Sequence, residues 1–102
     1  MIWLHEGEKR YIKAKLLRLT GSGAITLTSP ERRILTSARV VAVGFDWAAA
    51  TWDSANSELV ALFDSTVAAL STPGHYYVQL RGVIASELYA TEIKVEVLDW
   101  GP

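Results

Sequence analysis

Histidine and aspartate are the residue types in this chain best suited to acid–base or metal chemistry. The only two histidines are His5 and His75, and neither has further ligands at the fixed spacing that a metal site requires. His75 follows Pro73-Gly74, so we expect a partly exposed polar residue that opens a strand. The sequence therefore predicts no metal site.

Three aspartates, Asp46, Asp53 and Asp64, are the candidates for paired catalytic carboxylates. Each stands beside turn-forming or polar residues, where Asp commonly accepts hydrogen bonds from the nearby backbone. No serine lies in a Gly-x-Ser-x-Gly motif, and Gly21-Ser22-Gly23 lacks the spacing of a dinucleotide-binding loop, which favours a simple turn. We expect a protein that is not an enzyme and that needs no cofactor.

Composition favours one globular domain over residues 1–102. Half of the residues are hydrophobic and the net charge is −1. The densest basic group comprises Lys9, Arg10, Lys13 and Lys15, but Glu6 and Glu8 precede it. We interpret this group as a solvated strand edge, because nucleic-acid binding usually needs a clustered basic face. No nucleic-acid partner is expected.

The chain has no cysteine, which excludes disulfides and thiolate chemistry. We find no apolar run of about 18 residues, the length that a membrane helix needs. The first residues lack the pattern of a signal peptide, so we expect no membrane partner and a location in the cytoplasm. One Met, one Asn (Asn56) and one Gln (Gln79) fit a thermophilic source and equally a GC-rich codon bias.

Large aromatic residues are the strongest candidates for a functional surface, because Trp and Tyr are enriched at binding hot spots. The candidate interface residues are Trp3, Trp47, Trp52, Tyr77 and Trp100. Packing in the core is the alternative for each tryptophan. We expect at most one of Trp47 and Trp52 in the core, and Trp3 with Trp100 could close the core edge where terminal strands meet.

The elements that would position these residues are short strands separated by turns. The pattern predicts strands at residues 11–19, 25–28 and 39–45, a turn at Ser29-Pro30-Glu31-Arg32, and a further strand at residues 75–83. The run at residues 39–45 is rich in β-branched residues and indicates burial on both faces.

The clearest strand lies near the C-terminus, where a hairpin turn at Ile84-Ala85-Ser86 would precede it. Tyr89, Ile93, Val95 and Val97 alternate with polar residues, which predicts one buried face and one solvated face. In the same way we expect Tyr76 to point inward and Tyr77 to lie at the surface or at an interface.

Residues 54–70 are ambiguous. Their apolar residues fall at helical spacing, and by pattern alone a helix is slightly favoured. A turn at residues 53–56, a strand at residues 58–63 and a loop with one helical turn also fit.

The run Leu70-Ser71-Thr72-Pro73-Gly74-His75-Tyr76-Tyr77-Val78-Gln79-Leu80-Arg81 resembles the penultimate strand of immunoglobulin-like β-sandwiches in tailed-bacteriophage virion proteins. The resemblance covers roughly residues 39–100 and also includes Ala50-Thr51-Trp52-Asp53 as a strand before a turn. It implies a mainly β chain with an antiparallel immunoglobulin-like sandwich, and it favours the strand interpretation of residues 54–70.

The resemblance implies a structural or assembly protein of the tail, baseplate, neck or capsid decoration. Such a protein forms homo-oligomers, contacts other virion proteins and assembles in the host cytoplasm. The main alternative is a cytosolic ligand-binding or adaptor module of α+β fold, with a helix at 54–70 packed on an antiparallel sheet. A small enzyme is a third class, which no convergent polar cluster in the sequence supports.

Overall fold

A computed structural model describes residues 2–16 and 26–99 of the chain. These residues form eight strands and one short 3₁₀ helix. In chain order they are β1 (Ile2–His5), β2 (Lys9–Lys15), β3 (Thr28–Thr36), β4 (Ala48–Ala49), β5 (Thr51–Asp53), β6 (Glu58–Asp64), the 3₁₀ helix (Ala68–Leu70), β7 (Gly74–Ile84) and β8 (Glu87–Leu98).

The strands form two sheets that pack face to face as a small β-sandwich. The larger sheet has the order β1-β8-β7-β3-β4 and the smaller sheet has the order β2-β6-β5. All neighbours pair antiparallel except β1 and β8, which pair in parallel. If β2 to β8 are read as strands B, C, C′, D, E, F and G, the order is that of an immunoglobulin sandwich. The prediction of a mainly β fold is confirmed.

Period-two alternation builds the core between the sheets. Ile12 of β2, Phe63 of β6, Val78 of β7 and Val95 of β8 are all fully buried. Each alternates with a more exposed neighbour on the same strand, because successive side chains of a strand point to opposite faces. We call the face of each sheet that points away from this core its outer face.

Tyr76 ties the two sheets to the segment that precedes β7. Its ring is buried and meets Phe63 edge to face, with 5.4 Å between ring centroids. Its hydroxyl donates a hydrogen bond of 2.8 Å to the backbone oxygen of Thr72. This backward bond is the arrangement known as a tyrosine corner. The inward orientation predicted for Tyr76 is confirmed.

The hairpin of β7 and β8 is the longest feature of the fold, and both strands occur where the sequence predicts them. Ala85 and Ser86 connect them with φ values of +51° and +67°. Positive φ at both central residues defines a type I′ turn, whose twist matches that of the flanking strands.

The alternative helix at residues 54–70 is wrong. Residues 54–57 form a turn, which the carboxylate of Asp53 stabilises by accepting hydrogen bonds from the backbone and side chain of Asn56. Leu59, Ala61 and Phe63 then alternate inward along β6, and only Ala68–Leu70 has helical geometry. Burial against the opposite sheet selects the strand period over the helical period.

The predicted buried strand at residues 39–45 is also wrong. This segment is an arch along the outer edge of β3, with an isolated bridge between Val41 and Leu35 and backbone hydrogen bonds that join Ile34 to Ala42 and Phe45. Only Ala42 of the arch is buried, and Val43 is 86% exposed. An edge segment has no sheet beyond it, so an apolar run there need not be buried.

Smaller differences lie at the start of β3 and around β2. Ser29-Pro30-Glu31-Arg32 is not a turn, because these residues lie inside β3 at a bulge where Ser29 has a φ of +52°. Leu27 is buried just before β3, and β2 begins two residues earlier than predicted. The predicted turn at Gly21-Ser22-Gly23, residues 17–19 of the first strand and Ile25 lie outside the described residues.

Tyr89 does not point into the core as predicted, since it is 42% exposed. It stands opposite Gly82, and Leu27 fills the space over that glycine. Burial along β8 therefore begins only at Val95 and Val97, while Ile93 is partly buried.

Candidate interface on the outer face of the larger sheet

Three of the candidate aromatic residues lie on the outer face of the larger sheet. Trp3 alternates with the buried Leu4 on β1, and Tyr77 alternates with the buried Tyr76 on β7. Trp47 approaches this face from the loop before β4, where it lies against the side chains of Arg33 and Arg81.

Arginine side chains cover the rings of Trp47 and Tyr77. The guanidinium carbons of Arg81 and Arg33 lie 3.7 Å and 4.7 Å from the Trp47 ring centroid. The corresponding distance from Arg39 to the Tyr77 ring is 4.4 Å. A cation over an aromatic face is attracted by the ring quadrupole, so these contacts hold the loop on the sheet.

Polar side chains connect the same arginines across three strands. Gln79 accepts hydrogen bonds from Arg33 at 2.8 Å and 2.6 Å, and its amide donates to Glu92 at 3.0 Å. Glu92 also accepts from Arg39 at 2.6 Å, while Arg81 pairs with Glu31 at 3.0 Å. Because each of these arginine and glutamate side chains has a hydrogen-bonded partner, their positions are fixed before a partner binds, as in a preformed binding surface.

The network has a clear electrostatic signature. Burial raises the pKa of Glu92, but hydrogen bonds from Gln79 and Arg39 outweigh that effect and hold the pKa below its ordinary value. The hydrogen bond to Glu92 raises the pKa of Arg39. Both groups stay ionised at neutral pH, so Glu92 and Arg39 form a fixed ion pair.

Trp3 is the most accessible of these aromatic residues, with 57% of its surface exposed. Its neighbour across the parallel pair is Glu96, and its backbone oxygen accepts a hydrogen bond of 2.6 Å from Arg10. Trp3 therefore does not close the core edge, and Leu4 faces the core in its place. The expectation that the terminal strands meet is confirmed by the pairing of β1 with β8.

The other two candidates do not join this face. Trp52 stands opposite the buried Leu59 on the inner side of the smaller sheet and packs partly against the core. At most one of Trp47 and Trp52 was expected in the core, and Trp52 is that residue. Trp100 lies outside the described residues.

Sequence analysis missed a second apolar surface on the smaller sheet. Tyr11, Val60, Leu62 and Val67 line part of an open groove of about 440 Å³, which continues past Thr51 and Asp64 to Arg32 and Phe45 at the edge of the larger sheet. The available signal was the spacing of Lys9, Tyr11 and Lys13, because residues two apart on a strand share a face, and that face is opposite to the one of Ile12. Leu88 and Tyr89, at the turn end of β8, are exposed as well.

The basic residues of β2 are solvated, as the sequence indicates. Lys9, Arg10, Lys13 and Lys15 are all exposed, and β2 is an edge strand of the smaller sheet. Lys9 lies 4.0 Å from Asp64 across the pair to β6. The lysines are spread along an edge and interleaved with acidic neighbours.

The three aspartates each accept hydrogen bonds from residues close to them in the chain. Asp46 accepts a hydrogen bond from the backbone of Trp47, and Asp64 accepts from the side chain and backbone of Thr66. Hydrogen bonds from the Thr66 side chain, first, and its backbone lower the pKa of Asp64. The side-chain hydrogen bond from Asn56 is the main cause that lowers the pKa of Asp53.

The histidines are also apart from each other and from any metal-like cluster. His5 contacts Glu8 at 3.2 Å, whereas His75 is partly buried beside Gly74 at the start of β7. Within residues 2–16 and 26–99 no group of three or more His, Asp or Glu side chains is placed to hold a metal ion.

In the part of the chain that the structure describes, no helix is long and apolar enough to cross a membrane.

The site that the geometry supports is an aromatic and arginine-rich outer face, which we call the Arg–Trp face: Trp3, Arg33, Arg39, Trp47, Tyr77 and Arg81. No family model, curated protein or solved structure matches this chain.

Proposed function

We propose that this chain is a structural or assembly protein of a bacteriophage particle, acting through protein–protein interfaces. The observation that carries the proposal is the set of large apolar side chains that the sandwich leaves exposed on rigid strands. Trp3, Tyr11, Leu88 and Tyr89 are all of this kind. Exposed aromatic and aliphatic residues are typical of surfaces that bind other proteins.

The fold supports the same proposal. The strand order of the two sheets, the tyrosine corner at Tyr76 and the sequence pattern of β7 together favour an immunoglobulin-like module. A sandwich by itself is compatible with many functions, so the argument depends on the surface residues. The α+β fold of the alternative ligand-binding or adaptor module is excluded, because residues 58–64 form a strand.

The charges of the Arg–Trp face favour a protein partner. Glu31 and Glu92 balance two of its three arginines through ion pairs, and Arg33 is hydrogen-bonded to the neutral Gln79, so the face carries less positive charge than a phosphate-binding surface usually does. Arginine and tryptophan are enriched in the centres of protein interfaces. We propose further copies of this chain and other virion proteins as partners, assembled in the host cytoplasm.

Purified particles provide the test. Particles isolated by density gradient from the source of the gene should contain this chain in many copies, as measured by quantitative peptide mass spectrometry. Particles that lack the chain, while the host cytoplasm contains it, would contradict the proposal.

A variant with a matched control locates the contact. Trp3→Ala should fold like the parent chain, because Trp3 is largely exposed, but should enter particles several-fold less efficiently. Val43→Ala removes another exposed apolar side chain, outside the Arg–Trp face, and should enter particles normally. Equal incorporation of both variants would exclude Trp3 from the interface.

A further inference from the structure

In the described part of the chain, the first half of β8 has one edge that pairs with no other strand, which we call the free edge. On one side β8 pairs with β7 along its whole length, from Glu87 opposite Ile84 to Val97 opposite Gly74. On the other side β1 pairs only with Val95 to Leu98. Among the described residues, none pairs with β8 between Glu87 and Lys94 on that side.

The direction of the backbone groups along this edge follows from the turn. Residues that flank a two-residue turn exchange both hydrogen bonds, so Glu87 faces β7 and every second residue does the same. Leu88, Ala90 and Glu92 therefore point their N–H and C=O groups outward. The outward oxygen of Leu98, which accepts from the backbone N–H of Glu6 at 3.0 Å, has the same parity.

The free edge is complementary to itself. A twofold axis through Thr91 would pair residues 88–94 with the same residues of a second chain, and this window ends where β1 begins. On one side Thr91 meets its own copy and Tyr89 meets Ile93. Thr–Thr pairs and aromatic–β-branched pairs are among those that stabilise antiparallel strands.

We infer that this edge joins two copies of the chain through antiparallel β8–β8 pairing. Leu88 and Tyr89 are 65% and 42% exposed, so the pairing would cover apolar surface as well as backbone groups. The edge carries one charge of each sign, on Glu92 and Lys94. A strongly charged strand of another protein would therefore gain no net electrostatic attraction by pairing there. The inference stands whether or not the chain belongs to a virion, since purified protein tests it.

The contact is small. A pair of strands of this length buries less than a standard interface, so we expect a dissociation constant between about 10 µM and 1 mM. Dimers should therefore accumulate in concentrated solution and inside an assembly, where the local concentration is high.

A single cysteine tests the twofold register. Cα atoms of directly opposed residues that do not exchange hydrogen bonds lie about 4.5 Å apart, which a disulfide can span. Because the chain has no cysteine, Thr91→Cys would introduce the only thiol. Under mild oxidation we expect it to form a covalent dimer at least tenfold faster than Thr51→Cys, an exposed position on β5.

Ala90 variants test whether the edge drives association. Ala90→Pro removes an outward N–H and leaves the ladder to β7 intact, and Ala90→Lys adds a charge as a second variant. Both should keep the circular dichroism spectrum of the parent chain and stay monomeric by sedimentation velocity at about 1 mM, where the parent dimerises.

Three outcomes would overturn the inference. One is equal cross-linking of Thr91→Cys and Thr51→Cys, which indicates random collision. Another is a parent chain that stays monomeric at about 1 mM, which leaves the edge to a strand of a different protein. The third is self-association that persists unchanged in Ala90→Lys, which assigns it to another surface.

Discussion

Tyr76 contributes to stability through two separate groups. Its ring fills the core beside Phe63, and its hydroxyl satisfies the backbone oxygen of Thr72. Removal of the ring leaves a cavity, whereas removal of the hydroxyl takes away one hydrogen bond to the backbone oxygen of Thr72. The two contributions can therefore be measured separately.

Tyr76→Ala should lower the free energy of unfolding by about 3 kcal/mol or more, and Tyr76→Phe by about 1 kcal/mol. Urea denaturation followed by fluorescence measures both. Tyr89→Ala is the control, because Tyr89 is exposed and should cost little. A loss below about 1 kcal/mol for Tyr76→Ala would show that the ring does not fill the core.

Gly82 lacks space for a side chain. An added Cβ would lie 2.5 Å from Cδ2 and 2.7 Å from Cγ of Leu27, so the Leu27 side chain would have to move as a whole. We expect Gly82→Ala to lower the free energy of unfolding by about 1–3 kcal/mol. Thermal melts would measure this loss of stability. In the double variant with Leu27→Ala the added methyl group no longer meets the Leu27 side chain, so Gly82→Ala should cost less stability in that background than in the parent chain. Wild-type stability of Gly82→Ala would contradict the contact.

Asp64 makes the free energy of unfolding depend on pH in the acidic range. Its hydrogen bonds with Thr66 hold its pKa below the ordinary value in the folded chain. The ionised carboxylate therefore favours folding above the unfolded pKa, and this contribution is lost as the pH falls through the folded pKa. Asp53 shifts in the same direction, so stability should decrease below about pH 5.

Thr66→Val tests this linkage. Without the hydroxyl, the pKa of Asp64 measured by NMR titration should rise toward its ordinary value, and the loss of stability between about pH 6 and pH 3 should shrink. Thr51→Val is a control that leaves Asp64 untouched. An unchanged Asp64 pKa in Thr66→Val would mean that the hydroxyl does not stabilise the carboxylate.

The turn between β7 and β8 places two consecutive non-glycine residues in the left-handed region. Ala85 and Ser86 both have positive φ, a region that Asn and Gly tolerate far better. Replacement of Ala85-Ser86 by Asn-Gly should raise the free energy of unfolding by about 1 kcal/mol. Urea denaturation would show it, and Ala85→Val, which is β-branched, should have the opposite effect. A less stable Asn-Gly variant would contradict the turn type.

Alternation along single strands made the C-terminal hairpin predictable. Val95 and Val97 face the core and alternate with the charged Lys94 and Glu96. Tyr76 and Val78 of β7 face the core and alternate with Tyr77 and Gln79. The arch at residues 39–45 was not predictable, since an apolar run has no alternation and the sequence does not reveal which segment lies at a sheet edge. The prediction that Tyr89 points into the core was wrong for a related reason, because alternation along β8 does not show where the opposite sheet ends.

The candidate interface was predictable only as a set of residue types. The sequence indicates that Trp3, Trp47 and Tyr77 are candidates, but their arrangement depends on arginines far away in the chain. Arg33 reaches Gln79 and Arg39 reaches Glu92 only through the register of three strands. Such pairings depend on the register between strands, which the amino-acid sequence alone did not predict.

At the scale of the whole molecule, the residues that stabilise the sandwich are different from those that we propose as contacts with partners. The inner residues of β7 and β8 hold the sheets together, while the outer face and the free edge of the same strands remain available to partners. Interfaces built on strands lose little conformational entropy on binding, because their backbone is already ordered. We therefore expect interface variants to alter assembly far more than stability.

Amide hydrogen exchange along β8 tests this account most directly. In dilute solution the inward amides of Tyr89, Thr91 and Ile93 should exchange slowly, whereas the outward amides of Leu88, Ala90 and Glu92 should exchange fast. At high concentration the outward set should become protected while the inward set changes little. Exchange without alternation, or outward amides that remain unprotected in the concentrated sample, would contradict the account.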